Sequence, residues 1–207
     1  MSLEIWLAFV AASTALLLIP GPTVLLVLSY ALSHGRKVAL ATVAGVALGD
    51  LIAMSASLAG LGAMVLASAQ LFTLLKWCGA VYLIYLGVKM LQSAPRLALD
   101  DAPERPTREI FGHATAVTAL NPKSIAFFIA FVPQFLNPVA PLLPQFVILI
   151  ATFVGLAAIN ALAYALIADR IRARLVKPAA IRWLTRFGGG ALIAMGGATA
   201  LMRRSAA

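Results

Sequence analysis

The chain has a single cysteine, Cys78, so it can hold no intramolecular disulfide and no thiol pair for electron relay. Its two histidines, His34 and His113, are far apart in sequence, which argues against haem or metal ligation. Charge is scarce as well: 7 acidic and 16 basic residues in 207. A soluble protein of this length has a surface to cover with polar groups, and so few charges would not cover it. There is no phosphate-binding glycine loop in a soluble setting, so no ATP site is expected. What fills the chain instead is apolar: 62% of residues are hydrophobic and the mean hydropathy is +0.98. The sequence reads as an integral membrane protein. In a soluble chain the net charge of +9 would suggest nucleic acid as a partner; here the placement of that charge matters more, and the lipid bilayer is the partner expected.

Crossing the hydrocarbon core takes about 20 apolar residues. Six stretches qualify: Ile5–Leu32, Val38–Met64, Leu66–Leu91, Ile110–Leu136, Leu142–Ala168 and Trp183–Met202. The first is read as a retained span and not a signal peptide, because Glu4 is its only early charge and it outruns an h-region. A short turn around Gly60, Gly62 and Ala67 is expected between the second and third. A polar linker, 92–109, carries four of the seven acids and three prolines, and marks the boundary between halves at about 1–95 and 110–207 of one transporter domain.

Basic residues accumulate in cytoplasmic loops near span ends. Arg36 and Lys37 lie in the first loop, Arg96, Arg105 and Arg108 in the central linker, and Arg170, Arg172, Arg174, Lys177, Arg182 and Arg186 in the fifth. With six spans these loops share the cytoplasmic side and both termini lie outside; Arg203 and Arg204 oppose this weakly. Three spans per half is an odd number, so the halves have opposite polarity and form a 3+3 inverted repeat by parity. The stretch Asp169–Lys177 sets Ile171 and Leu175 among arginines and reads as an interfacial turn of helix.

The first span of each half is interrupted by proline, at Pro20-Gly21-Pro22 and at Asn121-Pro122-Lys123. A proline removes an N–H donor and crowds the carbonyl four residues back, so the carbonyls of Leu16, Leu18 and Thr118 should lose their usual partners. In hydrocarbon such groups are tolerated only where protein or water covers them. Matching breaks in two halves are a pointer to a transporter's binding site.

Asp50 stands in mid-span, where a carboxylate is rare and functional by default. Beside it Ala41, Gly45, Gly49, Ala53 and Ser57 form a small-residue stripe that invites a close helix neighbour. The competing reading is a structural carboxylate paired with Lys76 or Lys123. Lys123 sits where a helix restarts, a place that favours an anion, so it is a candidate for a substrate carboxylate or else for neutralising Asp50. Lys76 is a weaker candidate that can snorkel outward. Thr23 and Ser124 each follow a break and can cap the restarted helix or touch substrate; capping alone suffices. Asn160 and Tyr164 give the fifth span a polar face, with a helix–helix hydrogen bond the expected role of each. Trp77, Tyr82 and Tyr85 suit an interfacial belt, and the glycines at 188–190 and 196–197 suit close packing within the chain or in a homodimer.

Five ordered motifs across essentially the whole chain resemble the LysE/RhtB family of amino-acid exporters: Pro20-Gly21-Pro22, Gly35-Arg36-Lys37, Gly45-x-x-x-Gly49-Asp50, Lys76-x-x-Gly79-Ala80-x-Tyr82-Leu83-x-Tyr85-Leu86-Gly87, and Asn121-Pro122-Lys123. The resemblance implies a six-helix inner-membrane exporter of amino acids or related metabolites, driven by the proton-motive force and not an enzyme. It also implies that Pro20, Gly21, Pro22, Asp50, Asn121, Pro122 and Lys123 stand at or near the site. The expectation is proton antiport of a small zwitterion, without a cofactor. Cation or metal export is the alternative, weakened by the lack of a His/Cys/Asp cluster. A passive channel would need a continuous polar stripe, and a scaffold would not need charges in mid-membrane.

Overall fold

The computed structural model describes residues 1–34, 38–67, 69–92, 106–137, 139–171 and 178–201. Among these the regular structure is entirely helical: α1 (Leu3–Leu18), α2 (Pro22–His34), α3 (Ala39–Ala67), α4 (Ala69–Gln92), α5 (Thr107–Ala119), α6 (Pro122–Ala130), α7 (Leu142–Ile171) and α8 (Pro178–Leu201), with a 3-10 turn at Val132–Phe135.

The prolines set the helix boundaries. A residue before proline is driven out of the helical region, and Ile19, before Pro20, is extended at φ −71 and ψ 119. Asn121, before Pro122, is likewise extended. Proline is then well placed as the first residue of the next helix, where its missing N–H costs nothing; Pro22 and Pro122 open α2 and α6. The axis turns by 56° between α1 and α2, and by 43° between α5 and the stretch from α6 to Phe135.

Two helices are long and apolar enough by themselves to cross a membrane, over Ala39–Gly60 and Leu142–Ala168; counting each bent pair as one span gives up to four. In α4 and α8 the apolar stretches among the described residues are shorter, Trp77–Lys89 and Gly189–Leu201. Large apolar side chains such as Leu40, Leu74, Val147 and Ile159 point outward, the pattern of a surface solvated by lipid.

Some boundaries differ from those the sequence suggests. No turn forms at Gly60 or Gly62, because α3 continues to Ala67 before residue 68, which lies outside the described residues. The second restarted helix begins at Pro122 and ends at Ala130, so the expected span to Leu136 is not one continuous helix but gives way to the 3-10 turn that contains Pro133. Residues 169–171 complete α7, and the rest of the expected interfacial segment, like most of the central linker, lies outside the described residues.

Small residues decide which helices meet. A Cβ on Gly45 or Gly49 would come within 2.6 and 2.7 Å of the carbonyl oxygens of Phe111 and Thr115, so these glycines let α5 lie directly on α3. Gly87 and Gly189 do the same for α4 against α8. These glycine surfaces therefore pack within the chain. Helix α7 lies against α1, α2 and α3, while α3 lies against α5, α6 and α7. Below the second break Phe127, Phe128, Phe131 and Phe153 form an aromatic block, with the rings of Phe128 and Phe153 edge-to-face at 4.8 Å. It gives the restarted helix a firm seat.

Candidate functional site

The two breaks meet. Between the end of α1, the start of α2, the middle of α3, the start of α6 and the middle of α7 lies a cavity lined by Thr23, Asp50, Asn121, Lys123, Ser124, Asn160 and Tyr164 on its polar parts. Val24, Val27, Val46, Ala157 and Ala161 are among its apolar lining. It encloses about 20 Å³, room for about one water molecule. That is too small for an amino acid.

The end of α1 explains most of the polar side chains. A helix ends with four carbonyls that lack intrahelical partners, and in this protein each finds a donor. The Lys123 ammonium donates to the carbonyls of Leu16 (3.1 Å) and Ile19 (2.8 Å), Asn160 Nδ2 to Leu17 (3.0 Å), and the Tyr164 hydroxyl to Leu18 (3.0 Å). Leu16 also accepts from the Ile19 N–H at 3.2 Å. Three side chains of the second half thus close a helix of the first. The Thr118 carbonyl, also expected to be freed, accepts from the Asn121 N–H at 3.1 Å.

The second break is held differently. Asn121 Oδ1 accepts from the Lys123 backbone N–H at 3.1 Å and caps α6. Ser124 is therefore not the cap, because a helix opened by Pro122 takes its cap from the residue before the proline. Thr23 does not cap α2 either: its hydroxyl accepts from Asn121 Nδ2 at 3.0 Å and lies 3.4 Å from the Thr118 hydroxyl. This small network ties break to break.

Asp50 is 2% exposed and projects from α3 beside Gly49. Among the described residues no cation is within ion-pair distance of it and no donor is bonded to it, and Lys123 is committed to carbonyls instead. The reading of Lys123 as the permanent ion-pair partner of Asp50 is thereby corrected, although both groups face one cavity and feel each other's charge. Gly21 lies close under the Lys123 side chain: a Cβ there would stand 3.3 Å from Nζ and 3.4 Å from Cε.

Of the residues expected at the site, Thr23, Asp50, Asn121, Lys123 and Asn160 converge on the cavity, with Pro20, Gly21 and Pro22 at the bend beside it and Pro122 behind Asn121, its side exposed. Lys76 lies on α4, and its side chain is outside the described residues. Asn160 and Tyr164 make the helix–helix bonds expected of them, and their spacing of four aligns both on the α1 terminus. A further contact between halves went unforeseen: the Tyr30 hydroxyl and His113 Nδ1 are 2.8 Å apart, joining α2 to α5. Among the described residues no group of three His, Cys, Asp or Glu could hold a metal ion.

The model of the family described as LysE type translocator matches residues 5–203. The chain is 33% identical over 206 residues to a homoserine/homoserine lactone efflux protein of Salmonella typhimurium, covering 99% of this chain and 100% of that one. It is 31% identical over 197 residues to an uncharacterized membrane protein of Vibrio cholerae, covering 95% and 96%. A leucine efflux protein of Klebsiella pneumoniae is 31% identical over 134 residues, covering 64% and 63%. No solved structure matches the chain.

Proposed function

The chain belongs to the LysE type translocator family, and on that premise we propose that it is a secondary transporter that exports amino acids or related small metabolites from the cytoplasm by proton antiport. The observation that carries this reading is the convergence of Asp50 and Lys123 on one buried cavity at the meeting of two broken helices. One acid and one base suit a zwitterion. The substrate ammonium would face Asp50, and its carboxylate the remaining proton of Lys123 and the start of α6. A proton and the ammonium would then compete for one carboxylate, which is the minimal device for exchange. Among the substrates for which relatives are named, homoserine and leucine are zwitterions of this class, whereas homoserine lactone lacks the free carboxylate.

The proposed setting is a bacterial inner membrane, with six spans in one domain and basic loops in the cytoplasm. The arrangement would be a 3+3 inverted repeat of α1/α2, α3 and α4 with α5/α6, α7 and α8. Reciprocal packing supports it: α3 touches α5 and α6, while α7 touches α1 and α2, and the pairs α3–α7 and α4–α8 join equivalent members. Alternating access would rock the halves about the cavity.

The test uses the purified full chain in proteoliposomes. Asp50→Asn is expected to abolish substrate movement driven by a pH gradient. Full gradient-driven efflux in that variant would refute the coupling role.

A further inference from the structure

Charge and hydrogen bonding around the cavity also bear on what the side chain of a substrate can be. The polar lining is almost wholly committed. Thr23 is bonded to Asn121, Asn121 to the start of α6, Asn160 to Leu17, Tyr164 to Leu18, and Lys123 to Leu16 and Ile19. Asp50 is the charged group left without a bonded partner among the described residues. An ammonium and a carboxylate would therefore use up the charge that Asp50 and Lys123 offer.

Apart from the uncharged hydroxyl of Ser124, the rest of the lining is aliphatic. Val24 and Val27 share a face of α2, Ala157 and Ala161 share a face of α7, and Val46 lies one helical turn from Asp50 on α3. All five are buried. A third charge on the substrate would meet no counter-charge here, and an uncompensated buried charge is strongly disfavoured.

We infer that this site selects zwitterions with an uncharged aliphatic side chain and rejects dibasic amino acids, with Val24, Val27, Val46, Ala157 and Ala161 as the specificity-determining wall. The inference rests on the reading of the cavity as the transport site. The α-amino and α-carboxyl groups are read by Asp50 and Lys123, and the side chain by contact alone.

Norleucine and lysine isolate the charge, because their side chains are of similar length and differ in the terminal ammonium. Binding of radiolabelled norleucine to the full chain in proteoliposomes is measured with lysine, arginine, and the des-amino and decarboxy analogues of norleucine as competitors. Norleucine is expected to bind, with lysine and arginine weaker by about 100-fold or more. Lysine within about 10-fold of norleucine would overturn the side-chain inference and leave the zwitterion site standing. Analogues that compete as well as norleucine, or no norleucine binding at all, would overturn the underlying reading too.

Val46→Asp adds a counter-charge to the wall, and should improve lysine relative to norleucine by about 10-fold. If that variant fails to fold, Ala157→Leu serves, and should weaken norleucine about 10-fold more than alanine. An equal loss for both ligands would mean that position 157 is not part of the wall, and would refute the assignment.

Discussion

If side chains of the second half hold the end of α1, removing them singly should loosen it in a fixed order. Asn160→Leu is the cleanest probe, since it keeps the size of the side chain and leaves the Leu17 carbonyl with no donor where Asn160 Nδ2 stood at 3.0 Å. Interhelical hydrogen bonds in membranes average about 0.6 and reach about 1.7 kcal/mol, and an orphaned buried carbonyl costs about 1–3 kcal/mol. The expected loss is therefore about 1–2 kcal/mol. Tyr164→Phe removes one hydroxyl from the Leu18 carbonyl, but Leu18 is 43% exposed and that bond lies on the exposed side. Its loss should be about 0.5 kcal/mol. Lys123→Met is a poorer probe, because two lost charge-assisted bonds are set against relief of a buried ammonium. Thermal denaturation of the purified protein in detergent reads the difference. At about 2–4 °C per kcal/mol for a chain of this size, Asn160→Leu should lower the midpoint by about 2–8 °C and Tyr164→Phe by about 1–2 °C. A midpoint for Asn160→Leu within about 1 °C of the parent, or a larger drop for Tyr164→Phe, would refute the argument that these bonds close α1.

Three further perturbations test the packing. Gly49→Ala would press a methyl against the Thr115 carbonyl at 2.7 Å and Thr118 Cβ at 2.7 Å, so it should cost about 1–3 kcal/mol in the same melting assay. Gly155→Ala, with nothing within 4 Å, should be neutral or stabilising by up to about 1 kcal/mol. Tyr30→Phe removes the hydroxyl bonded to His113 and should loosen α2 from α5; a cysteine introduced near this contact should react faster with a thiol reagent, and an unchanged rate would count against a tie between halves.

The breaks are legible in the sequence because proline acts locally: the missing donor and the strained preceding residue put Ile19 and Asn121 in extended conformations whatever surrounds them. Asp50 is legible for a similar reason, since a carboxylate amid small residues needs a packed neighbour. What covers the freed carbonyls is not legible. The Lys123 ammonium reaches Leu16 and Ile19 only because α6 is seated on the aromatic block at that height, a fact of tertiary geometry. Gly60 and Gly62 read as punctuation but lie in a continuous helix, because in hydrocarbon an intact ladder of backbone bonds outweighs the entropy a glycine loses. The Asn121 cap was open to inference from the asparagine preceding Pro122, since a proline at the first helical position leaves the cap to the residue before it.

The donors that close α1 stand 104, 107, 143 and 146 residues away from the carbonyls they serve. A growing chain delivers α1 to the bilayer well before it has made Lys123, and longer still before Asn160 and Tyr164. During that interval the carbonyls at its end need water, or whatever escorts the segment, as partners. Helix α1 is therefore finished only once α6 and α7 have been made.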